Sequence, residues 1–527
     1  MKKSIYILFA LLILAVSACD DGFEELNQNP LAPTVVNYEA IFNGLTNSLR
    51  LGWNRQLFLH NEILYDITEL GVVTAATFGN VNAGVEDVWQ NYYNTLKNTH
   101  QLESTLDELS GSDPELGDII KAQIKVLMAY KTFQMLDFFG SVPYSQAGNA
   151  YAEDAIVRPV YDNEKEVYLS LIDDLKESSE FLKSVQGNTS SGNPYLRVGD
   201  YDALFGDKLG RWTKWSSSML LKYLVRIYDK EQELVNTEVA NLLNNGFDLI
   251  NPGEDVVMSP AEQGWSNEGV NWSFREHNRL RMGTTLWNFM TDNEELIDPR
   301  VRIFFEPNNN NEWVAFPQIS DANTPQSGGD PYLRDTRDNV YANKGEGNIY
   351  ASFNYYLVRD EKDIPEILMS AAEVKFLLAE VFLRGIGTAK DPFLAAFRYQ
   401  EGMLTSMEFW QGIAQHSAIW ENQPSFFSTG ELFLVTENPR YKLDNNGSEE
   451  ENLAKIYAQR WVDYFRQPWE AFSLMRTTNL LPREKPDNEF FRFKYPLSES
   501  SFNFENWSAQ ADLMGGDETN VKLWWMD

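Results

Sequence analysis

The sequence predicts a mostly α-helical fold, and three observations carry the prediction. After Tyr38, apolar residues recur three or four positions apart through most of the chain, the spacing that lines one face of an α-helix. The segments that keep this spacing are long, and glycine and proline stand where they stop. Inside the segment 363–385, the small residues Ala371, Ala372 and Ala379 leave room for a second helix to approach closely.

In chain order, the spacing predicts helices over 38–51, 56–70, 84–109 and 115–139. In the last of these Ile120, Ile124, Leu127, Met128, Met135 and Phe139 form one stripe, and Gly140 and Pro143 end it. Further helices are expected at 163–184, 211–229, 232–245, 284–296, 363–385, 391–405 and 449–467. The 363–385 helix directs Ile364, Ile367, Leu368, Ala371, Leu378 and Phe382 toward a neighbour and stops at Gly385. Pairs of such helices predict tetratricopeptide-like stacking, although no clean repeat period of about 34 residues is visible. Residues 246–283 and 306–356 break the rhythm with NPG, SGGDP and NKGEGN, turn-forming runs that predict long irregular segments. Such segments are commonly functional. The tail 482–527 also reads as loop, with Trp524-Trp525 packed onto the body rather than left in water.

The start of the chain, MKKSIYILFALLILAVSACDD, predicts location. Lys2 and Lys3 precede an apolar run from Ile5 to Ala15 that only Tyr6 interrupts. The run is shorter than the roughly 20 residues that span a bilayer, and its exit through Ser17-Ala18 reads as a cleavable signal. Val16-Ser17-Ala18-Cys19 fits a bacterial lipobox around the only cysteine in the sequence. Diacylated Cys19 would then be the mature N-terminus, and two acyl chains at about 0.8 kcal/mol per CH₂ anchor a protein firmly. The expected organisation is a signal peptide at 1–18, a lipidated acidic tether at 19–37 and one α-helical domain at 38–527.

Charge narrows the partners. Loss of Lys2 and Lys3 with the leader takes the formal net charge from −33 to −35 on 509 remaining residues. That excess argues against nucleic acid and anionic lipid surfaces, both of which need basic side chains. Neutral ligands such as sugars or peptides stay open. Aromatic residues make up 13% of the chain; most belong in the core, and exposed ones would supply stacking platforms for sugar rings.

Several ordered motifs resemble the SusD/RagB outer-membrane lipoproteins, in particular the SusD-like branch. Cys19-Asp20-Asp21-Gly22-Phe23-Glu24-Glu25-Leu26-Asn27 with Asn29-Pro30 is similar to the family opening. Phe138-Phe139-Gly140-Ser141-Val142-Pro143-Tyr144 resembles its Gly-x-hydrophobic-Pro-Tyr turn. Gly206-Asp207-Lys208 with Trp212-Thr213-Lys214-Trp215 and Ser218-Met219-Leu220 resembles a helix entry of the family, and Asp298-Pro299-Arg300 its Asp-Pro-Arg element. Ser370-Ala371-Ala372-Glu373 with Leu378-Ala379-Glu380 resembles a further helix. Arg492-Phe493-Lys494-Tyr495-Pro496, Glu499, Asn503, Gly515-Gly516-Asp517 and Trp524-Trp525 resemble the C-terminal pattern. The resemblance implies tetratricopeptide-like helix pairs on one side and irregular segments forming the ligand face. It also implies a non-enzymatic, surface-exposed lipoprotein that captures a glycan, or a peptide in RagB-like members. Its partner would be a TonB-dependent (SusC-like) transporter, and Asp20-Asp21 after the lipid site resembles a surface-export signal. No contact residues carry over, because the irregular segments match no family binding pattern.

The residues point to no catalytic set, cofactor or metal. Glu366, Glu373 and Glu380 are spaced to share one helix face, but seven residues put Cα atoms about 10.5 Å apart, poorly matched to paired-carboxylate hydrolysis. Carboxylates facing solvent or paired with arginine are the better reading. Asp200-Tyr201-Asp202 with Asp207 lacks the glycine and glutamate of a calcium loop, and His60, His100, His277 and His416 have no zinc-ligand spacing.

Five aromatics stand among hydrogen-bonding neighbours in irregular sequence: Phe78, Trp265, Trp272, Trp313 and Tyr332. These are the stacking candidates, of which about two are expected to touch ligand while the others plug loops. Trp89, Trp212, Trp215 and Trp461 lie in helical patterns and are expected in the core. The alternatives to a nutrient-binding lipoprotein are an all-α glycoside hydrolase, which needs two carboxylates facing across an aromatic cleft, and a helical structural adaptor.

Overall fold

The structure, a computed structural model, describes residues 37–526 except 75–78, 110–113, 150–155, 187–201, 207, 245–247, 277–278, 293–294, 326–347, 361, 421–422 and 487–488. Helices dominate it: α1 (Tyr38–Asn47), a π-helix (Arg55–Leu64), α2 (Val81–Leu109), α3 (Pro114–Phe139), α4 (Glu164–Val185), α5 (Leu209–Arg226), α6 (Gln232–Asn244) and α7 (Glu268–Glu276). They continue with α8 (Ala371–Arg384), α9 (Pro392–His416), α10 (Thr429–Glu437), α11 (Glu449–Asp463), α12 (Pro468–Thr477), α13 (Leu497–Phe502) and α14 (Phe504–Met514). This is the all-α, tetratricopeptide-like fold that the periodicity predicts.

Local chemistry explains the helix ends. Asn163 and Ser370 cap α4 and α8 with their side chains, Ser428 and Ser448 form capping boxes with Glu431 and Glu451, and Asp391 caps α9 ahead of Pro392. Gly385, at φ 73°, ends α8 in the left-handed conformation that an ordinary side chain resists.

Antiparallel neighbours α2/α3, α4/α5 and α8/α9 pack as pairs. The first core is built from α1 to α6, with Trp212 and Trp215 fully buried at its centre and Trp89 beside Phe139. The second gathers Tyr65, Phe304, Phe353, Trp410, Trp461 and Phe465 around α9 and α11. Helix α8 joins the two: Val374, Leu377 and Val381 face the first core, while Ala372, Phe376 and Ala379 face the second. All four tryptophans expected in the core are buried.

Short strands complete the fold, and the β2–β8 pair has residues in both cores. β1 (Val72–Val73), β3 (Leu280–Arg281), β7 (Ser352–Phe353) and β6 (Phe305–Glu306) form one antiparallel sheet in that order. β2 (Val256–Met258) pairs with β8 (Glu366–Met369), and β4 (Thr291–Asp292) with β5 (Glu295–Leu296).

Five expectations are corrected. The helix expected at 363–385 begins only at Ala371, because 366–369 is strand β8; Glu366 therefore shares no helix face with Glu373 and Glu380. The 56–70 segment opens as a π-helix, and the 284–296 helix ends at Met290 before the β4–β5 hairpin. Region 246–283 contains α7 among its irregular stretches, and the tail contains α13 and α14. That tail is held by Arg492, whose Nε donates to Phe139 O (3.1 Å) and whose guanidinium pairs with Asp517 (2.7 Å). Trp524 and Trp525 pack on the first core, as expected.

The Asp-Pro-Arg element also finds its reason. Arg300 is completely buried, bonded to Asp298 and donating to Ser406 Oγ (2.8 Å) and Gln459 Oε1 (2.6 Å). It ties the 298–304 turn to α9 and α11.

Candidate functional site

The π-helix sits at the junction of α2, α7 and α12, and its wide turns set the shape of the surface above it. Gly84 lets α2 come close to the π-helix: a Cβ there would lie 2.7 Å from Leu59 Cγ. Ser273 on α7 donates from Oγ toward Trp53 O (3.1 Å) and Gly269 O (2.7 Å), stitching α7 to the start of the π-helix. Asp87 on α2 accepts from Arg55 N (3.2 Å) at the same point.

Between these elements opens a cleft of about 710 Å³. Its lining comes from Trp53, Leu57 and Phe58 on and just before the π-helix, Asn80 before α2, and Glu268, Gly269 and Trp272 on α7. Trp53 and Trp272 are 42% and 41% exposed, an unusual state for two large rings bordering one opening. Phe58 is buried and meets Trp53 edge-on, with ring centroids 6.2 Å apart. Trp272 Nε1 donates to Glu268 Oε1 at 3.1 Å, one helical turn away, which fixes the indole's orientation. Ring faces with an amide and a carboxylate beside them can stack on a flat apolar ligand face and hydrogen-bond its edges.

A polar group lies on the π-helix outside the cleft lining. Half-buried Arg55 donates from Nε to His60 Nε2 (3.3 Å) and from Nη1 to Gln134 Oε1 (3.0 Å). Burial, with Arg55 and Arg466 nearby, pushes the His60 imidazole well below its usual range, so it accepts this bond as the neutral form.

Of the five stacking candidates, the structure places Trp272 in the cleft. Trp265 packs partly buried against the first core beneath the Arg50 guanidinium, 4.0 Å from the ring centroid. Trp313 stacks on Trp287, centroids 5.9 Å apart and planes 14° from parallel, and packs against the second core. Phe78 and Tyr332 lie outside the described residues, as does Cys19. Sequence reasoning passed over Trp53, Phe58, Asn80 and Glu268. The available signal was Gly52-Trp53-Asn54, which interrupts two helical patterns with an aromatic between turn formers.

The remaining candidates have structural partners. Glu373 pairs with Lys222 (2.9 Å) and Arg460 (3.5 Å), and Glu380 with Arg384 (3.0 Å). Glu366 accepts from Leu51 N (2.6 Å). Asp202 caps its own turn and accepts from Trp212 Nε1 at 2.7 Å, while Asp200, Tyr201 and Asp207 lie outside the described residues. His60, His100 and His416 sit in unrelated places, each with its own partner, and His277 is not among the described residues. Among the described residues there is no cluster of His, Cys, Asp and Glu arranged to hold a metal ion, and no helix long and apolar enough to cross a membrane.

Fold and site together define a class: a tetratricopeptide-like helical scaffold presenting an open aromatic cleft. The chain belongs to the SusD-like family described as starch-binding and associating with the outer membrane, whose model matches residues 45–496. Solved structures share the fold. A chitin-binding protein is 20% identical with a TM-score of 0.69, over 93% of this chain and 100% of its own. A chitin-binding SusD homologue from Flavobacterium johnsoniae is 20% identical with a TM-score of 0.66, over 93% of this chain and 98% of its own. A SusD homologue from Bacteroides vulgatus is 18% identical with a TM-score of 0.68, over 93% and 97%. No curated protein matches the sequence.

Proposed function

We propose that this protein is a cell-surface lipoprotein that captures an oligosaccharide in the Trp53–Trp272 cleft and delivers it to a TonB-dependent outer-membrane transporter. The observation that carries the reading is the pair of half-exposed tryptophans bordering one cleft of about 710 Å³, large enough for a few sugar rings. The family's description as starch-binding and outer-membrane-associated, and the chitin-binding neighbours, support a glycan as ligand. Residues 38–527 act as one domain in this reading, supported by α8 contributing to both cores. Acylated Cys19 is the anchor, supported by the lipobox around it and the acidic tether that follows.

The work is binding without a covalent step. Glu268 is the one carboxylate among the described residues lining the cleft, whereas glycoside hydrolysis uses two. Calorimetry of the purified protein against starch, chitin and other oligosaccharides, with peptides as a parallel panel, tests the reading. Binding of a glycan that is lost in Trp53→Ala and Trp272→Ala supports it. Peptide binding alone, or release of reducing ends from any glycan, overturns it.

A further inference from the structure

Trp53, Phe58 and Trp272 supply three aromatic rings to one cleft, and Glu268 is the only ionisable group among the described residues that line it. Trp272 Nε1 donates to one oxygen of that exposed carboxylate at 3.1 Å, which places the negative charge at the edge of the indole, in the plane of its N–H. The nearest arginines are committed elsewhere. Arg50 lies over Trp265 and donates to Ser266 O (3.2 Å), and Arg55 donates to His60 and Gln134. Rings with electron-rich faces around a single carboxylate form the arrangement that attracts an organic ammonium, through the ring quadrupole and through direct charge. The formal net charge of −33 on the whole chain adds a field that draws cations and repels anions.

We propose that the cleft prefers oligosaccharides bearing protonated amines, of the 2-amino-2-deoxy type, over neutral ones, and excludes uronic-acid and sulfated glycans. The inference rests on the cleft being the glycan site, and it adds the charge of the ligand. A sugar of this kind stacks its ring on Trp53 or Trp272 while its ammonium meets Glu268.

Calorimetry of the full-length protein at 0.15 M salt tests this with a glucosamine hexamer, an N-acetylglucosamine hexamer and an oligogalacturonate of the same length. The expected result is glucosamine binding about two- to fivefold tighter than its acetylated counterpart, the scale of one exposed cation–π contact, and no oligogalacturonate binding. Glu268→Gln keeps an acceptor for Trp272 Nε1 and removes the charge. It should abolish the amine preference, so that the two hexamers bind the variant with equal affinity. Equal binding of the two hexamers, or a preference that survives in Glu268→Gln, overturns the charge selectivity alone. If no oligosaccharide binds, or only a lysine-containing peptide does, the glycan reading falls and this inference with it.

Discussion

Lys222 Nζ lies 2.9 Å from Glu373 Oε1, and the two side chains are 3% and 0% exposed. The pair joins α5 to α8 inside the first core. Lys222 also contacts Glu470 on α12, Tyr464 donates from its hydroxyl to Glu373 Oε1 at 2.5 Å, and Arg460 closes the group. Burial alone would raise the Glu373 carboxyl, but Lys222 and Arg460 more than offset it and hold the group below its usual range.

Removing the cation from this group leaves two buried carboxylates short of their counter-charge. Lys222→Met is therefore expected to destabilise the protein by about 3–5 kcal/mol, the range for breaking a buried pair from one side. Adding Glu373→Gln should recover part of the loss. Urea midpoints of the wild type, the single and the double variant measure both effects, and equal midpoints for wild type and Lys222→Met would reject the claim.

Stability should fall as pH rises between about 4.5 and 7. Burial pushes the Glu164 and Glu366 carboxyls up to about 7, so across that window the native protein holds protons that the unfolded chain has released. Glu366→Gln removes one such proton and should flatten the slope by up to about 1.4 kcal/mol per pH unit. Lys131 acts in a higher window with the opposite sign. Burial lowers its amine to about 7, so its contribution to stability increases as pH rises from there toward 10.5. Unfolding free energies of the two proteins at pH 5 and pH 7 provide the check, and parallel slopes would show that Glu366 titrates normally.

Gly402 sets the spacing of α8 and α9. A Cβ there would lie 2.6 Å from Phe376 Cε1, so Gly402→Ala must push the helices apart or displace a core ring. The overpacking penalty of about 1–3 kcal/mol should exceed the gain of up to about 1 kcal/mol in helix propensity. A lowered thermal midpoint is expected, and an increase would mean that Phe376 moves aside freely.

The tryptophans separate by role. Trp53→Ala and Trp272→Ala should each weaken glycan binding by about five- to thirtyfold, the value of about 1–2 kcal/mol for a ring contact, with little change in stability. Trp313→Ala should do the reverse, because its ring stacks on Trp287. Trp265→Ala should leave affinity within about twofold. Paired calorimetry and melting curves distinguish the two groups.

Cys19→Ala should move the protein from the membrane fraction to the soluble fraction, since acyl chains are its proposed hold on the bilayer. A variant that stayed with membranes would place the anchor elsewhere.

Much of the helical framework was legible because a buried helix face must repeat its apolar residues. The stripe Ile120, Ile124, Leu127 and the helix stops at Gly140 and Gly385 are visible without coordinates. The motif Asp298-Pro299-Arg300 was legible as a pattern but not as a buried clamp, since Ser406 and Gln459 join it from more than a hundred residues away. Glu366 looked helical because a four-residue strand is too short for its period to override the helix that follows.

By itself the sequence determined the all-α class, the approximate helix ends and the identity of the core tryptophans, all of which rest on neighbours within a few turns. The tertiary structure decided which aromatics share a cleft. Trp53 and Trp272 are 219 positions apart and border one cleft because Ser273 ties α7 to Trp53 O at the start of the π-helix. Periodicity reports what one helix does with its own residues; a site built across two helices depends on contacts that no local pattern encodes.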